Sequence, residues 1–498
     1  MPRKNKNMKR RDFIMLAGAA FLAGCEDNGG SNSPSAVPSA NANQPLSEPV
    51  CRGRASSNAS NTIAAENALA GVSDWVLTKP DSSQIEGYAT TSVNVGSPVF
   101  VYVNTKSASY SAEIYRLGWY GGAGASLKRQ LGPLPGTVQA APSIDPTTGA
   151  ASCSWTQSFS IDTTGFVTGI YLVKLTTAEG SQQYVYFIVR DDSRTADILF
   201  VSSSSTMQAY NAWGGKSLYA SQSTNSQAAT AVSYNRPYKP IWESDGAGQI
   251  LAWDIKVLHF LESHGLDVCY SDILDLHTAS PTGFRCVLIS GHSEYWSKQA
   301  RFNLQSAANQ GVNTFVLAGN VCYKQVTFNS AVMSYNATGS DPNTGLFQHL
   351  DPEESFFGQT YLGFTFVNVP VAVDFVIAAD IPAWMLDGTG LASGGKLPGL
   401  FGYEGDKTTS RTPSSAAIWG KSPFTSPVAG NESGVATYYS SGDESTGCSY
   451  QVLNVGSMNW AYGLDSAGYN MTDPPTNYEN ADAKQITLNV INRFVGTR

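Results

Sequence analysis

The chain is 498 residues long with a formal charge of −8, and only 14% of it is charged. Its 42% hydrophobic and 11% aromatic content provides for large cores and excludes a wholly disordered chain. No apolar run of about 18 residues occurs, which excludes a polytopic membrane protein, and the absence of a basic patch argues against nucleic-acid binding.

In chain order, residues 1–25 read as an export signal. Arg3, Lys4, Lys6, Lys9, Arg10 and Arg11 precede the apolar run Phe13–Leu22, too short to span a membrane as a stable helix. Lys9–Met15 (KRRDFIM) resembles a twin-arginine signal, and Leu22–Cys25 (LAGC) resembles a lipoprotein box with Cys25 as the lipidated residue. The expected location is the periplasmic side of a bacterial envelope, with the membrane reached through the lipid anchor. Removing residues 1–24 leaves 25 basic and 38 acidic residues, a charge of −13. Twin-arginine export carries folded proteins, often with a cofactor already loaded.

Residues 26–68 are rich in Ser, Asn and Pro and read as a disordered linker. Residues 69–192 carry short Tyr-, Val- and Ile-rich runs: Ser97–Asn104, Ala112–Leu117, Gly169–Leu175 and Gln183–Arg190. Turn-rich segments separate them, which predicts an immunoglobulin-like β-sandwich.

From residue 193 to 498 the pattern is α/β. Strands are predicted at Ala196–Val201, Leu266–Tyr270, Cys286–Ser290 and Asn313–Ala318. Helices are predicted at Trp253–His264, Lys298–Asn309 and Ile486–Phe494. Alternation of this kind implies a parallel sheet, with sites at the carboxyl ends of its strands. Two polar segments follow such ends: Gly291–Trp296 (GHSEYW) and Gly319–Tyr323 (GNVCY). Of the cysteines, Cys269 and Cys286 sit in apolar runs and read as buried thiols; a Cys51–Cys153 bridge stays open. No CxxC zinc pattern occurs, and the five histidines all lie between His259 and His349.

At these segments the chain resembles the large (beta) subunit family of N,N-dimethylformamidase. The matching stretches are Ala209–Tyr219 (AYNAWGGKSLY), Val232–Tyr238 (VSYNRPY), Gly291–Ser297 (GHSEYWS), Leu317–Tyr323 (LAGNVCY) and Gly402–Asp406 (GYEGD), with Glu113–Gly122 (EIYRLGWYGG) in the sandwich. The resemblance implies a glutamine-amidotransferase-like α/β core. It further implies a mononuclear Fe(III) held by Tyr210, Tyr219 and Glu294, with His292 as catalytic histidine oriented by Glu404. Tyr234 and Tyr238 compete for the tyrosine roles. Cys322 and Lys324 flank Tyr323 where relatives tend to carry aromatic residues. No sign of a small partner subunit is carried by this chain.

The chemistry asks for the same residue types. Iron(III) is a hard ion suited to phenolate and carboxylate ligands. Its charge acidifies a bound water, and it can polarise an amide carbonyl. In an extended segment positions i and i+2 share a side, so His292 and Glu294 can face one site. The function expected is hydrolysis of a linear amide C–N bond, on a small amide-type substrate. Two alternatives stand beside it. One is a thiol hydrolase using Cys322 with His292. The other is a non-catalytic envelope protein gripping a glycan or polymer. His277 reads as a loop residue, and Arg236 reads as one half of a buried ion pair.

Overall fold

Period-2 alternation shapes the N-terminal half of the computed structural model. The structure describes residues 60–496 except 240–244, 339–340, 365–371, 427–429, 443–447 and 469–476. The export signal, Cys25 and residues 26–59 of the linker therefore lie outside the described residues. The last part of the presumed linker differs from expectation: Thr62–Asn67 is a short helix capped by Asn61, with Ile63 and Glu66 buried.

Two sheets follow. Ile85–Ala89, Pro98–Thr105 and Phe159–Asp162 form one antiparallel sheet. Ser92–Asn94, Gln182–Arg190, Gly169–Thr177, Ser109–Leu117 and Ala125–Pro135 form the other. In Pro98–Thr105 alternate residues are buried, so Val99, Val101 and Val103 meet Tyr171, Val173 and Phe187 between the sheets. Gly169–Thr177 is buried on both faces. Its Tyr171 and Val173 face the first sheet, whereas Ile170 and Leu172 face the C-terminal half.

That half is built on a seven-stranded sheet. Its order is Val268–Asp272, Ile198–Ser202, Cys286–His292, Asn313–Gly319, Tyr450–Asn454, Gly430–Ser441 and Ala417–Ser426. The first five are mutually parallel and the last two pair antiparallel. The parallel strands are near-continuous apolar runs because both faces are covered. Alternation divides them: Phe200, Leu288 and Phe315 pack with Ile486, Val490 and Phe494 of the helix Ala481–Val495. Val201, Ile289 and Val316 pack with Ala300, Leu304 and Ala307 of the helix Lys298–Ala308. Each such large buried side chain contributes ~1.5–3 kcal/mol.

The predicted helix at 253–264 divides in two. Ile250–Asp254 is a π-helical turn leading into the α-helix Ile255–Ser263. His277 lies in the helix Ile273–Thr278, which the Asp272/Asp275 capping box starts, and its Nδ1 is 2.8 Å from Ser297 Oγ. Cys269 and Cys286 are buried free thiols, as read. Cys153 is also free, which rules out a Cys51–Cys153 bridge; Cys448 is disulfide-bonded.

Two small sheets close over the carboxyl end of the parallel strands. One holds Ala231–Ser233, Val332–Tyr335, Lys324–Asn329 and Tyr295–Ser297; the other holds Thr360–Phe364, Glu404–Lys407, Lys396–Gly402 and Ala372–Val376. They bring Lys324 and Glu404 to the ends of the strands that carry His292 and Asn320.

Candidate active site

Tyr210 ends the helix Ser204–Tyr210, which follows the strand Ile198–Ser202. Asn211 turns extended and stops the helix. The following loop is clamped by Arg236. Its Nε and Nη2 donate to Gln208 Oε1 and O at 3.2 and 2.9 Å, and its Nη1 donates to Trp213 O and Lys216 O at 3.2 and 2.7 Å. The expected ion pair does not form: among the described residues no carboxylate pairs with Arg236. Burial without a counter-ion pulls its pKa down to about 10. Ser217 Oγ also donates to Ala209 O at 2.8 Å. The loop so tied brings the Tyr219 ring 4.2 Å from that of Tyr210, centroid to centroid.

Glu294 is placed by the turn after Cys286–His292. Gly291, near the end of that strand, has φ +76, a conformation other residues rarely adopt, and a Cβ on it would sit 3.2 Å from Asp254 Oδ1. Thr206 Oγ1 accepts from Glu294 N at 2.9 Å. Tyr210 OH donates to Glu294 Oε2 at 2.9 Å, Tyr219 OH lies 3.0 Å from the same oxygen, and the two hydroxyls are 2.8 Å apart. Three oxygens thus form a nearly equilateral triangle. Ligands at right angles on an ion with bonds of about 2.0–2.2 Å stand about 2.8–3.1 Å apart, so this set fits a small hard cation. Among the described residues no cluster of three or more His, Cys, Asp or Glu could hold a metal; the oxygen triangle differs by drawing on two tyrosines.

His292 is fully enclosed. Its Nε2 lies 3.2 Å from Glu404 Oε2 and 3.5 Å from Glu294 Oε2, at ion-pair distance rather than in well-directed hydrogen bonds. Burial opposes its charging, but Glu404 and then Glu294 outweigh that and raise its pKa above the ordinary value. Asn320 Nδ2 donates to Glu404 Oε2 at 2.7 Å. Asn320 adopts a left-handed φ of +54 at the end of Asn313–Gly319, and its N–H is held by Asp406 Oδ1 at 2.9 Å. Asparagine tolerates that conformation better than most residues.

Charge in the cluster is balanced by Lys324, whose Nζ is 3.0 Å from Glu294 Oε1. Burial alone would raise the Glu294 pKa; Lys324 and then His292 hold it below the usual carboxylate value. Burial, followed by the Glu294 charge, raises the pKa of Tyr210 and Tyr219 well above normal. The phenols are therefore protonated until a further positive charge reaches them.

All five residues read from the sequence converge: Tyr210, Tyr219, His292, Glu294 and Glu404. Tyr234 and Tyr238 stand apart, Tyr234 OH toward Ser204 Oγ and Tyr238 OH toward Tyr186 OH. Cys322 is not a nucleophile in this arrangement. It is packed with Trp296, Phe356 and Phe357, and burial pushes its thiol well above the ordinary value, opposite to an activated cysteine. Convergence of a histidine, two carboxylates and two phenols also argues against a purely non-catalytic binder. Sequence reasoning did not assign Asn320, Tyr295 or the contacts of Lys324. The first two could have been suspected, because Asn320 directly follows a strand end and Tyr295 lies within the GHSEYW motif.

Comparison with protein-family models matches residues 111–477, about three quarters of the chain, to a family described as N,N-dimethylformamidase beta subunit-like, C-terminal. No curated protein matches. Among solved structures, a Paenibacillus sp. cycloisomaltooligosaccharide glucanotransferase complexed with cycloisomaltoheptaose aligns at 9% identity, over 72% of this chain and 60% of that one. The TM-score is 0.17, too low to define a shared fold.

Proposed function

The chain belongs to the N,N-dimethylformamidase beta subunit-like family, and from that premise we propose that it hydrolyses the C–N bond of an amide at the Tyr210–Tyr219–Glu294–His292–Glu404 cluster. The observation that carries this reading is the triangle of Tyr210, Tyr219 and Glu294 oxygens with His292 Nε2 3.5 Å from its Glu294 corner. Those three side chains would hold a mononuclear Fe(III), which favours anionic oxygen ligands. When bound, such an ion supplies a Lewis acid that acidifies water and polarises an amide carbonyl.

The protein's own groups handle the protons. His292 accepts a proton from the attacking water and returns it to the departing amine nitrogen, so that amide and water become acid and amine. Glu404, 3.2 Å from its Nε2, stabilises the imidazolium formed between the two steps. Asn320 fixes the Glu404 carboxylate. Enclosure of His292 and Glu294 keeps bulk water from competing for these contacts. In this reading the seven-stranded core is of the glutamine-amidotransferase-like type, the two N-terminal sheets are immunoglobulin-like, and the protein works at the envelope on a lipid anchor at Cys25.

Bound metal and the visible spectrum of the purified protein test the proposal, since iron–tyrosinate pairs absorb by charge transfer. Tyr219→Phe and Glu294→Ala are expected to lose iron. His292→Ala is expected to keep iron and lose turnover of linear amides. A protein that stays colourless and iron-free after reconstitution would sink the site, and full activity in His292→Ala would overturn its role.

A further inference from the structure

We propose that Lys324 is a built-in cation of this site, an ammonium that competes with a metal ion for Glu294 and Tyr219; this rests on the metal reading above. Backbone pairing fixes the contact. Lys324 opens the strand Lys324–Asn329, which runs parallel to Tyr295–Ser297 with Lys324 opposite Tyr295, and its N–H donates to Glu294 O at 2.9 Å. The lysine therefore starts beside Glu294 whatever its side chain does.

The side chain then completes an ammonium site. Nζ lies 3.0 Å from Glu294 Oε1, 3.1 Å from Tyr219 OH and 3.2 Å from Tyr295 OH. An ammonium has three donors, and three oxygens meet them. The rings of Tyr219, Tyr295 and Tyr335 surround the charge at 4.7, 5.2 and 5.9 Å to their centroids, an arrangement favourable to a cation.

Two of these three partners reach the metal triangle: Tyr219 OH is one of its corners, and Glu294 supplies Oε2 to the triangle while its Oε1 meets Lys324. A metal bonded to them would face the ammonium across one shell of oxygen in an enclosed site, where like charges repel strongly. Loading therefore sets the ion against Lys324 at the Tyr219 hydroxyl and across the Glu294 carboxylate, and the contacts the lysine gives up are subtracted from metal affinity. In return, the metal-free protein does not strand Glu294 as a buried, uncompensated carboxylate. The lysine makes loading reversible.

The test is iron binding by purified protein, with ferric nitrilotriacetate as the probe and equilibrium dialysis as the readout, alongside the melting temperature of the metal-free protein. Lys324→Met is expected to bind iron about tenfold tighter or more than the parent, and to melt lower when metal-free. Iron should then raise its melting temperature by more than it raises the parent's. Lys324→Gln, which keeps a donor without the charge, should show the same gain in affinity and covers the case in which the methionine variant fails to fold. Iron binding by the variants alone would also support the inference, as its extreme form. Equal or weaker binding by both variants than by the parent would overturn it, making Lys324 a support for the ion instead of its competitor. If neither the parent nor the variants bind iron, the metal reading itself fails, and this inference with it.

Discussion

A carboxylate can orient an imidazole only if something orients the carboxylate. Asn320 does this for Glu404, from a left-handed turn at the end of the neighbouring strand. Because Glu404 touches His292 and not the hydroxyls of Tyr210 and Tyr219, Glu404→Gln should preserve iron content and lower kcat by about 10–100-fold. Steady-state kinetics normalised to bound iron decide it; an equal loss of iron and activity would place Glu404 in the metal-holding set. His292 and Glu294 were legible in the sequence because a polar pair directly after an apolar strand has few structural uses. Tyr210 and Tyr219 were not legible in that way, since the chain has 24 tyrosines, and only the family resemblance singled them out. The contacts of Lys324 with Tyr219 and Tyr295 depend on two strands pairing side by side and on the loop that carries Tyr219 folding against them, which no local pattern encodes.

Among the elements, the loop from Asn211 to Leu218 has the greatest consequence, because it sets the spacing between Tyr210 and Tyr219. Arg236 supplies its order through a planar fork that reaches Gln208, Trp213 and Lys216 together. A lysine carries the same charge but cannot span those acceptors at once. Arg236→Lys is therefore expected to cost roughly 2–4 kcal/mol and to weaken iron binding, although Arg236 touches no oxygen of the triangle. Denaturant melts of the metal-free protein check the first effect and dialysis the second; unchanged values in both would dismiss the clamp. Four strands of the sandwich and the four predicted parallel strands were readable from runs of β-branched and aromatic residues, whereas Ile85–Ala89, Ser92–Asn94, Ala125–Pro135 and Phe159–Asp162 were not read. Gly430–Ser441 (GNESGVATYYSS) was not, because an antiparallel strand rich in Gly and Ser takes its order from the ladders with Ala417–Ser426 and Tyr450–Asn454 on its two sides. Trp253 and Asp254 were read into the following α-helix because apolar periodicity does not distinguish the π-helical turn Ile250–Asp254 from it.

Across the whole molecule, the two halves are joined by charge as well as by apolar packing. Glu262 of the helix Ile255–Ser263 accepts from both Nη atoms of Arg116 in the sandwich, from Tyr270 OH, and from Asn67 Nδ2. Removing one partner of so buried a pair strands the other, so Glu262→Ala should cost about 3–5 kcal/mol in a thermal or denaturant melt. Stability should also depend on pH through acids whose pKa the fold raises. Burial is the main cause at each: it raises Asp254 to about 6 and Asp272 and Glu353 to about 7. Glu353 is the clearest, because its Oε1 is held by Thr360 while its Oε2 has no hydrogen-bond partner among the described residues. An acid whose pKa is raised on folding stabilises the fold fully below its ordinary value, and that contribution is lost as pH climbs through the raised one. The melting temperature should thus fall from pH 5 to pH 8, in the opposite sense to a protein held together by ionised carboxylates. Glu353→Gln keeps an acceptor for Thr360 and cannot ionise, so it should flatten this slope and recover up to ~3 kcal/mol at the alkaline end. An unchanged slope in Glu353→Gln would show that Glu353 is already ionised in the fold, with its charge met by a group other than Thr360.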